Sequence, residues 1–290
     1  MLNYPRLKIS ASLVRLIFWW KLGGIHGKPD SVLQLPSRDP GRTIKANFYR
    51  SKSNKPSPVL INFHGSGFTI PWHGTDDAFA RQAVQTTDYA VLDIAYRLSP
   101  ENPFPAAIHD VEDVVKLATS NAQEFDSSRI SISGFSAGAN LALVASTQLF
   151  PKETFRHVIC FYPPTDLAKD HYTKVPPDTN GNPLPPWMLT VFTECYASGL
   201  DWNDPRISPL NAAGDSFQRN TLVITCAYDN LCAEGEALVK KIRAAQGDDA
   251  VVYRRMENCD HAWDKSYIAG SPQEKAKDEA YDLAMEMLRR

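Results

Sequence analysis

The chain has few cysteines, no excess charge of either sign and no long uncharged apolar run, and each shortage excludes something. Five cysteines occur in 290 residues, an odd number, and no two form a C-x-x-C pair. A disulfide framework or a zinc site is therefore disfavoured. There is no N-x-S/T sequon either. Both features fit a reducing compartment, so a cytoplasmic location is expected. Lysine plus arginine number 31 against 33 acidic residues, a formal net charge of −2. That balance leaves no electrostatic footprint for a nucleic-acid partner. What the chain does have is an ordinary globular composition, 43% hydrophobic and 22% charged, with 6 Trp, 11 Tyr and 13 Phe to build a core and an apolar pocket.

The most apolar stretch is LKISASLVRLIFWWKL at 7–22. Lys8, Arg15 and Lys21 interrupt it, and its uncharged runs fall far short of the ~20 residues that cross a bilayer. Lys21 and Gly23-Gly24 follow in place of a small-x-small cleavage pattern. Leu13, Leu16, Ile17 and Trp20 recur at helical spacing. The expectation is an amphipathic helix packing that face on the protein's own surface, with weak docking on a membrane surface as the alternative.

Short β-rich runs alternate with longer helical ones from residue 44 onward. Strands are expected at Ile44–Arg50, Val59–Phe63, Tyr89–Ile94, Arg129–Ser133, Val158–Tyr162, Leu222–Thr225 and Ala250–Met256. Helices are expected at Pro105–Ser120, from Ala137 to about Phe150, at Glu234–Gln246 and at Gln273–Arg290. This alternation predicts an α/β fold with a mostly parallel sheet covered on both faces. Residues 166–209 break the rhythm with prolines and aromatics, the composition of a cap inserted between sheet strands. The expected division is 1–43 as N-terminal cap helix and linker, 44–165 and 206–290 as core, and 166–205 as cap insertion. Open α/β sheets bind ligands at the carboxyl ends of their strands, where such a cap would sit.

The strongest chemical signal is Gly134-Phe135-Ser136-Ala137-Gly138. A β-run precedes this G-x-S-x-G pentapeptide and a helix follows it, the context that distinguishes a nucleophile elbow from an ordinary glycine-rich turn. After the Val59–Phe63 strand comes His64-Gly65-Ser66-Gly67-Phe68, a loop able to turn backbone amides toward a developing oxyanion. Gly65, Ser66, Gly67 and Ala137 are the candidate donors. A serine nucleophile needs a base and an orienting acid. Asp229 follows the Leu222–Thr225 strand and His261 follows the Ala250–Met256 strand, in the chain order Ser, Asp, His of α/β-hydrolases. Asp260, Asp264 and Glu234 are rival acids nearby.

These motifs resemble the hormone-sensitive-lipase family of α/β-hydrolases, whose oxyanion loop is usually H-G-G-G. Residues 95–106, AYRLSPENPFPA, are similar to that family's D-Y-R-L-A-P-E-x-P-F-P-A run. DPRISPL at 204–210 resembles the segment leaving its cap, and Asp229-Asn230-Leu231 with Glu234-Gly235 resembles its acid loop. The match covers about 44–290 and looks most like members from filamentous fungi. It implies an α/β-hydrolase fold with a helical cap and a serine esterase or lipase without metal or cofactor. Three departures stand out: Ser66 for the middle glycine, Ala95 for the signature aspartate, and Asn230 for the proline after the acid. Arg97, Glu101 and Asp110 are expected to brace the loop as ion pairs.

The expected chemistry is attack by Ser136 on an ester carbonyl, with His261 as base and Asp229 holding the imidazole. The substrate is expected to be a small-molecule carboxylic ester of small to medium acyl chain, a secondary metabolite being one source. Phe68, Trp72, Phe135, Trp187, Met188 and Phe192 are candidates for the pocket wall. Acyl transfer, lactone chemistry or thioester release by the same acyl-enzyme are the alternatives, followed by a non-catalytic ligand receptor. Relatives of this kind dimerise through an edge strand, so a homodimer is a further expectation.

Overall fold

The computed structural model describes residues 4–22, 27–53 and 56–290. The Gly23-Gly24 pair and the side chain of Trp20 lie outside what is described. Eight strands form one sheet: β1 (Ser31–Pro36), β2 (Thr43–Tyr49), β3 (Ser57–Phe63), β4 (Ala90–Ile94), β5 (Phe125–Phe135), β6 (Val158–Phe161), β7 (Thr221–Cys226) and β8 (Val251–Met256). Their order is β1-β2-β4-β3-β5-β6-β7-β8. β2 pairs antiparallel with both β1 and β4, and every later pairing is parallel. Strands β3 and β7, each paired on both sides, are buried along their whole length, which is why they read as continuous apolar runs.

Alternation along the strands divides the core in two. Val59, Ile61 and Phe63 of β3 face one cluster, packed under α3 (Ala106–Ser120), α4 (Ala137–Val144) and α6 (Cys232–Gln246). Leu60 faces the other, under α2 (Asp77–Thr86) and α7 (Pro272–Leu288). The start of α7 has the expected chemistry: Ser271 accepts from the Glu274 amide at 3.3 Å and Pro272 opens the helix. β1 lies within 1–43, in the stretch read as linker. Its apolar residues are too few to announce a strand, and pairing with β2 supplies what propensity does not. The helix after Ser136 is regular to Val144 and then widens to a π-type turn over Ala145–Leu149.

Between β6 and β7 the chain forms a short turn at His171–Thr173 and a helix, α5 (Pro186–Ala197). α1 (Tyr4–Leu22) packs on α5. Its inward row is Leu7, Ala11 and Val14, with Phe18 half-buried, whereas Leu13 and Leu16 are 58% and 52% exposed and Ile17 is 39% exposed. This reverses the face expected from the larger side chains. The cause is polar. Arg15 Nε donates to the Thr69 carbonyl at 2.9 Å, and Nη2 donates to the Ser99 carbonyl at 2.9 Å and to Glu101 at 2.7 Å. Those bonds set the rotation of the helix, and Ala11 lets it approach closely.

Glu101 therefore braces α1 and not the loop residue Arg97, as the motif alone suggested. Arg15, assisted by Lys8, holds the Glu101 carboxyl down at about 2. Asp110 takes the loop-bracing role. It is fully buried and accepts from the Arg97 amide at 2.8 Å, from Arg97 Nε at 3.0 Å and from Arg42. Asp110→Ala removes the buried carboxylate shared by Arg97 and Arg42, leaving Asp39 as their one carboxylate partner among the described residues and the Arg97 amide unpaired, so it should destabilise the fold by about 3–5 kcal/mol in urea unfolding. A loss below about 1 kcal/mol would place Asp110 among ordinary surface pairs.

Candidate active site

The elbow forms because β5 must turn into α4 within a single residue. Ser136 carries φ 50° and ψ −120°, a strained geometry for a residue with a side chain. The glycines on either side make the turn sterically possible. A Cβ at Gly134 would lie 2.2 Å from the Gly138 backbone, and one at Gly138 would lie 1.9 Å from the Phe63 carbonyl oxygen. The Ser136 amide is tied to the Phe161 carbonyl of β6 at 2.9 Å. The hydroxyl is thereby presented at the sheet's carboxyl edge, at the positive end of α4.

His261 and Asp229 arrive from the loops after β8 and β7. The imidazole Nε2 lies 2.9 Å from Ser136 Oγ, and Nδ1 lies 2.7 Å from Asp229 Oδ2. The second Asp229 oxygen accepts from the Leu231 amide at 3.0 Å, and the residue is fully buried. The rival acids are engaged elsewhere. Asp260 accepts from the Asn182 amide at 2.6 Å, Asp264 from the Tyr162 hydroxyl at 2.7 Å, and Glu234 pairs with Lys174 at 2.5 Å. Tyr162 also sets its ring against the imidazole, centroids 4.7 Å apart.

Among the described residues, no acceptor pairs with the amides of Ser66, Gly67 or Ala137; Ser66 and Gly67 line one cavity with Ser136, and Ala137 follows it in the chain. Gly67 has φ +53°, and a Cβ there would strike the Phe192 ring at 2.5 Å. Only glycine lets the loop take this course. The Ser66 hydroxyl has a different employment. Tyr96 donates to the His64 carbonyl at 2.7 Å, so its hydroxyl proton is committed. Ser66 Oγ, 2.6 Å from Tyr96, must then be the donor in that pair. The side chain braces the loop and leaves the backbone to face the site.

Beneath the loops runs a buried polar layer. Lys265 Nζ reaches Asp76 at 2.7 Å and Asp264 at 2.8 Å and lies 3.7 Å over the Phe135 ring. Burial alone would lower the Lys265 pKa, but the two carboxylates outweigh it and raise it. Asp76 in turn accepts from Asn62, which also donates to Asp93. Burial pushes the Asp93 carboxyl up to about 6 and the His64 imidazole down to about 3.

The serine and the imidazole face a cavity of about 90 Å³. Ser66, Gly67, Phe68, Trp72 and Phe192 line it, as the sequence suggested. Phe135 does not. It ends β5 pointing to the opposite sheet face, stacked on Phe161 at 4.3 Å and fully buried. Trp187 and Met188 line an adjoining outer groove instead, Trp187 exposed and Met188 buried in one apolar cluster with Leu189 and Phe192. Sequence reasoning missed Phe18, Leu189 and Leu231. Leu189 was legible as the residue one helical turn before Phe192, once Pro186 is read as the first position of a helix. His171, Thr193 and Lys174 also border the cavity. His171 Nε2 lies 2.9 Å from Thr193 Oγ1, and burial, then Lys174, lowers its pKa to about 4. Among the described residues no three His, Cys, Asp or Glu are grouped to hold a metal, and no helix is long and apolar enough to cross a membrane.

Comparison with known proteins agrees with this fold. A family model described as alpha/beta hydrolase fold matches residues 60–265. The carboxylic ester hydrolase LipN of Mycobacterium tuberculosis is 33% identical over 225 residues, covering 74% of this chain and 60% of LipN. The ethyl acetate hydrolase of Pseudomonas putida is 28% identical over 235 residues, 77% of this chain and 73% of that enzyme. Among solved structures, the thermostable carboxylesterase EstE1 from a metagenomic library superposes with a TM-score of 0.76 at 26% identity, over 98% of this chain and 96% of EstE1. The chain thus spans about 60% of the length of LipN and nearly all of EstE1. With more than half of its length matched by one family model, the chain belongs to the α/β-hydrolase family, in the hormone-sensitive-lipase-like group that its motifs resemble.

Proposed function

We propose that the chain is a serine esterase that cleaves small-molecule carboxylic esters through an acyl-enzyme. The observation that carries this is the unbroken hydrogen-bonded line from Ser136 to His261 to Asp229, at 2.9 and 2.7 Å, facing a cavity bordered by unpaired amides. Ser136 Oγ attacks the ester carbonyl as its proton passes to His261 Nε2. Asp229 holds Nδ1–H and stabilises the imidazolium. The amides of Ser66, Gly67 and Ala137, with Gly65 shaping the loop before them, receive the oxyanion at a fixed position, where no reorganisation is needed as charge develops. The tetrahedral intermediate then expels the alcohol, whose oxygen takes the proton from Nε2. Water repeats the cycle and releases the acid.

The names of the relatives support hydrolysis over the alternatives of acyl transfer, lactone chemistry and thioester release. The acyl half is short. A cavity of about 90 Å³ is smaller than the ~150 Å³ that admits benzene. It therefore suits acetyl to butyryl groups, at the small end of the range read from the sequence. Five buried free cysteines support a cytoplasmic location. The outward apolar row of α1, Ile9, Leu13 and Leu16, supports weak contact with a membrane surface.

Ser136→Ala should lower kcat for p-nitrophenyl acetate by roughly 10⁴-fold or more with an unchanged thermal midpoint. Turnover at the parental rate would end this reading. Phe192→Ala, which opens the cavity beside Gly67, should extend the profile of p-nitrophenyl esters beyond butyrate. The octanoate-to-acetate ratio of kcat/KM should rise by roughly 10-fold or more. An unchanged ratio would place the acyl chain elsewhere.

A further inference from the structure

Two spaces of very different size meet at His261, and the chemistry assigns a different half of the substrate to each. The acyl carbon is bound to Ser136 with its oxyanion against the loop at 65–67, so the acyl chain lies in the cavity those residues line. The leaving oxygen must accept its proton from His261, so the alcohol departs on the imidazole's side. On that side lies an open groove of about 920 Å³. It is bordered by the His261 loop from Asp260 to Ile268, by Trp187 and Met188 of α5, and by Ile17 of α1. Neither Ser136 nor the oxyanion loop borders it. Phe18 and Trp72, edge to face at 4.9 Å, stand with Leu184 in the wall common to both spaces.

The volumes differ about tenfold and the walls differ in kind. The inner cavity is small and largely apolar, with aromatic and aliphatic side chains sharing its wall, whereas the groove mixes apolar with many polar groups and falls within the roughly 300–1,000 Å³ typical of drug-sized ligands. Its surface carries large apolar side chains left in water: Trp187 is 45% exposed, Tyr267 36% and Ile268 80%. Interspersed are Asn182 and Gln273, whose amides can donate to hydroxyl or carbonyl oxygens, and Asp260, which can accept from a hydroxyl. Flat indole and phenol faces beside scattered polar groups suit a rigid aromatic body carrying oxygen substituents.

We propose that the substrate is an ester of a short acid, acetyl to butyryl, with a bulky aromatic or polycyclic alcohol that occupies this groove. The inference rests on the esterase reading above and adds the identity of the alcohol half. Water and ester are the only reactants. The Ser136 Oγ–acyl bond forms as the acyl–alkoxy bond breaks, the alcohol leaves with the proton from His261, and water then releases the short acid.

The test compares acetates of primary alcohols, whose leaving groups are chemically similar: ethyl, benzyl and 9-anthracenylmethyl acetate, with ethyl octanoate as the opposite arrangement. From ethyl to 9-anthracenylmethyl acetate, kcat/KM should rise by roughly 10-fold or more, and ethyl octanoate should be poorer than ethyl acetate by a similar factor. Trp187→Ala, a change at an exposed position, should lower the anthracenylmethyl-to-ethyl ratio by roughly 5-fold or more. Equal rates for the three acetates, or a ratio insensitive to Trp187, would overturn the inference and leave the esterase reading standing. Preference for octanoate would overturn it by placing the acyl chain in the groove. Absence of turnover on every ester, together with no labelling of Ser136 by a fluorophosphonate, would remove the esterase reading and this inference with it.

Discussion

The approach of α4 onto β3 is the constraint from which the site follows. Gly138 sits so close to the Phe63 carbonyl that a single methyl group there would occupy the same space as the oxygen. Two things are located by that contact at once. Ser136, two residues before Gly138, is lifted above the sheet edge, and the loop that begins after Phe63 is brought alongside it. Nucleophile and oxyanion donors are therefore positioned by main chain against main chain, in a buried environment that flexes little. Side-chain hydrogen bonds then refine this placement. The Ser66–Tyr96–His64 relay is the clearest case, because it spends the hydroxyl of Ser66 on holding the loop and keeps it away from the reacting atoms.

His261 has no comparable backbone restraint, since it sits in a loop that ends a strand near the sheet edge. Its neighbour Ala262 adopts φ +59°, strained for a non-glycine residue. What balances that strain is the ionic knot directly after it, where Lys265 bridges Asp264 to Asp76 and two tyrosine hydroxyls complete Asp264. Asp76 belongs to the segment between the oxyanion loop and α2. The knot thus ties the loop carrying the base to the part of the molecule carrying the oxyanion donors. A buried cluster of this kind is a poor source of net stability and a good source of fixed geometry. Here geometry is what the site requires.

Much of this was legible in the sequence, and the reason is physical. Seven of the eight strands announce themselves, the inner parallel ones because strands buried on both faces need continuous apolar runs. The elbow and the oxyanion loop announce themselves because only glycine fits at Gly67, Gly134 and Gly138. Side chains whose direction depends on tertiary packing were not legible. Phe135 adjoins the nucleophile in sequence, yet strand alternation turns it to the opposite face. In α1 the larger residues suggested the wrong buried row, because the helix rotation is set by Arg15 reaching three partners far away in the chain. Glu101 was expected to serve the same loop as Arg97 and serves α1 instead. In the last two cases a long-range polar contact overrode a local pattern.

The division of labour between core and cap follows from the same distinction. Every residue in the proposed proton path sits just beyond the carboxyl end of a core strand. The wall common to the two spaces is Phe18 of α1 with Trp72 and Leu184 of neighbouring loops, and Leu189 and Phe192 of α5 line the inner cavity. These elements are joined to the core by ion pairs such as Lys174 with Glu234 and Arg15 with Glu101, and by small apolar clusters. Substitutions in such walls alter volume without disturbing the elbow, so acyl and alcohol preference can change while the chemistry stays intact. Phe192 alone ties the two together. Its ring lies against Gly67, and the residue that limits the acyl cavity is therefore also the one the oxyanion loop leans upon.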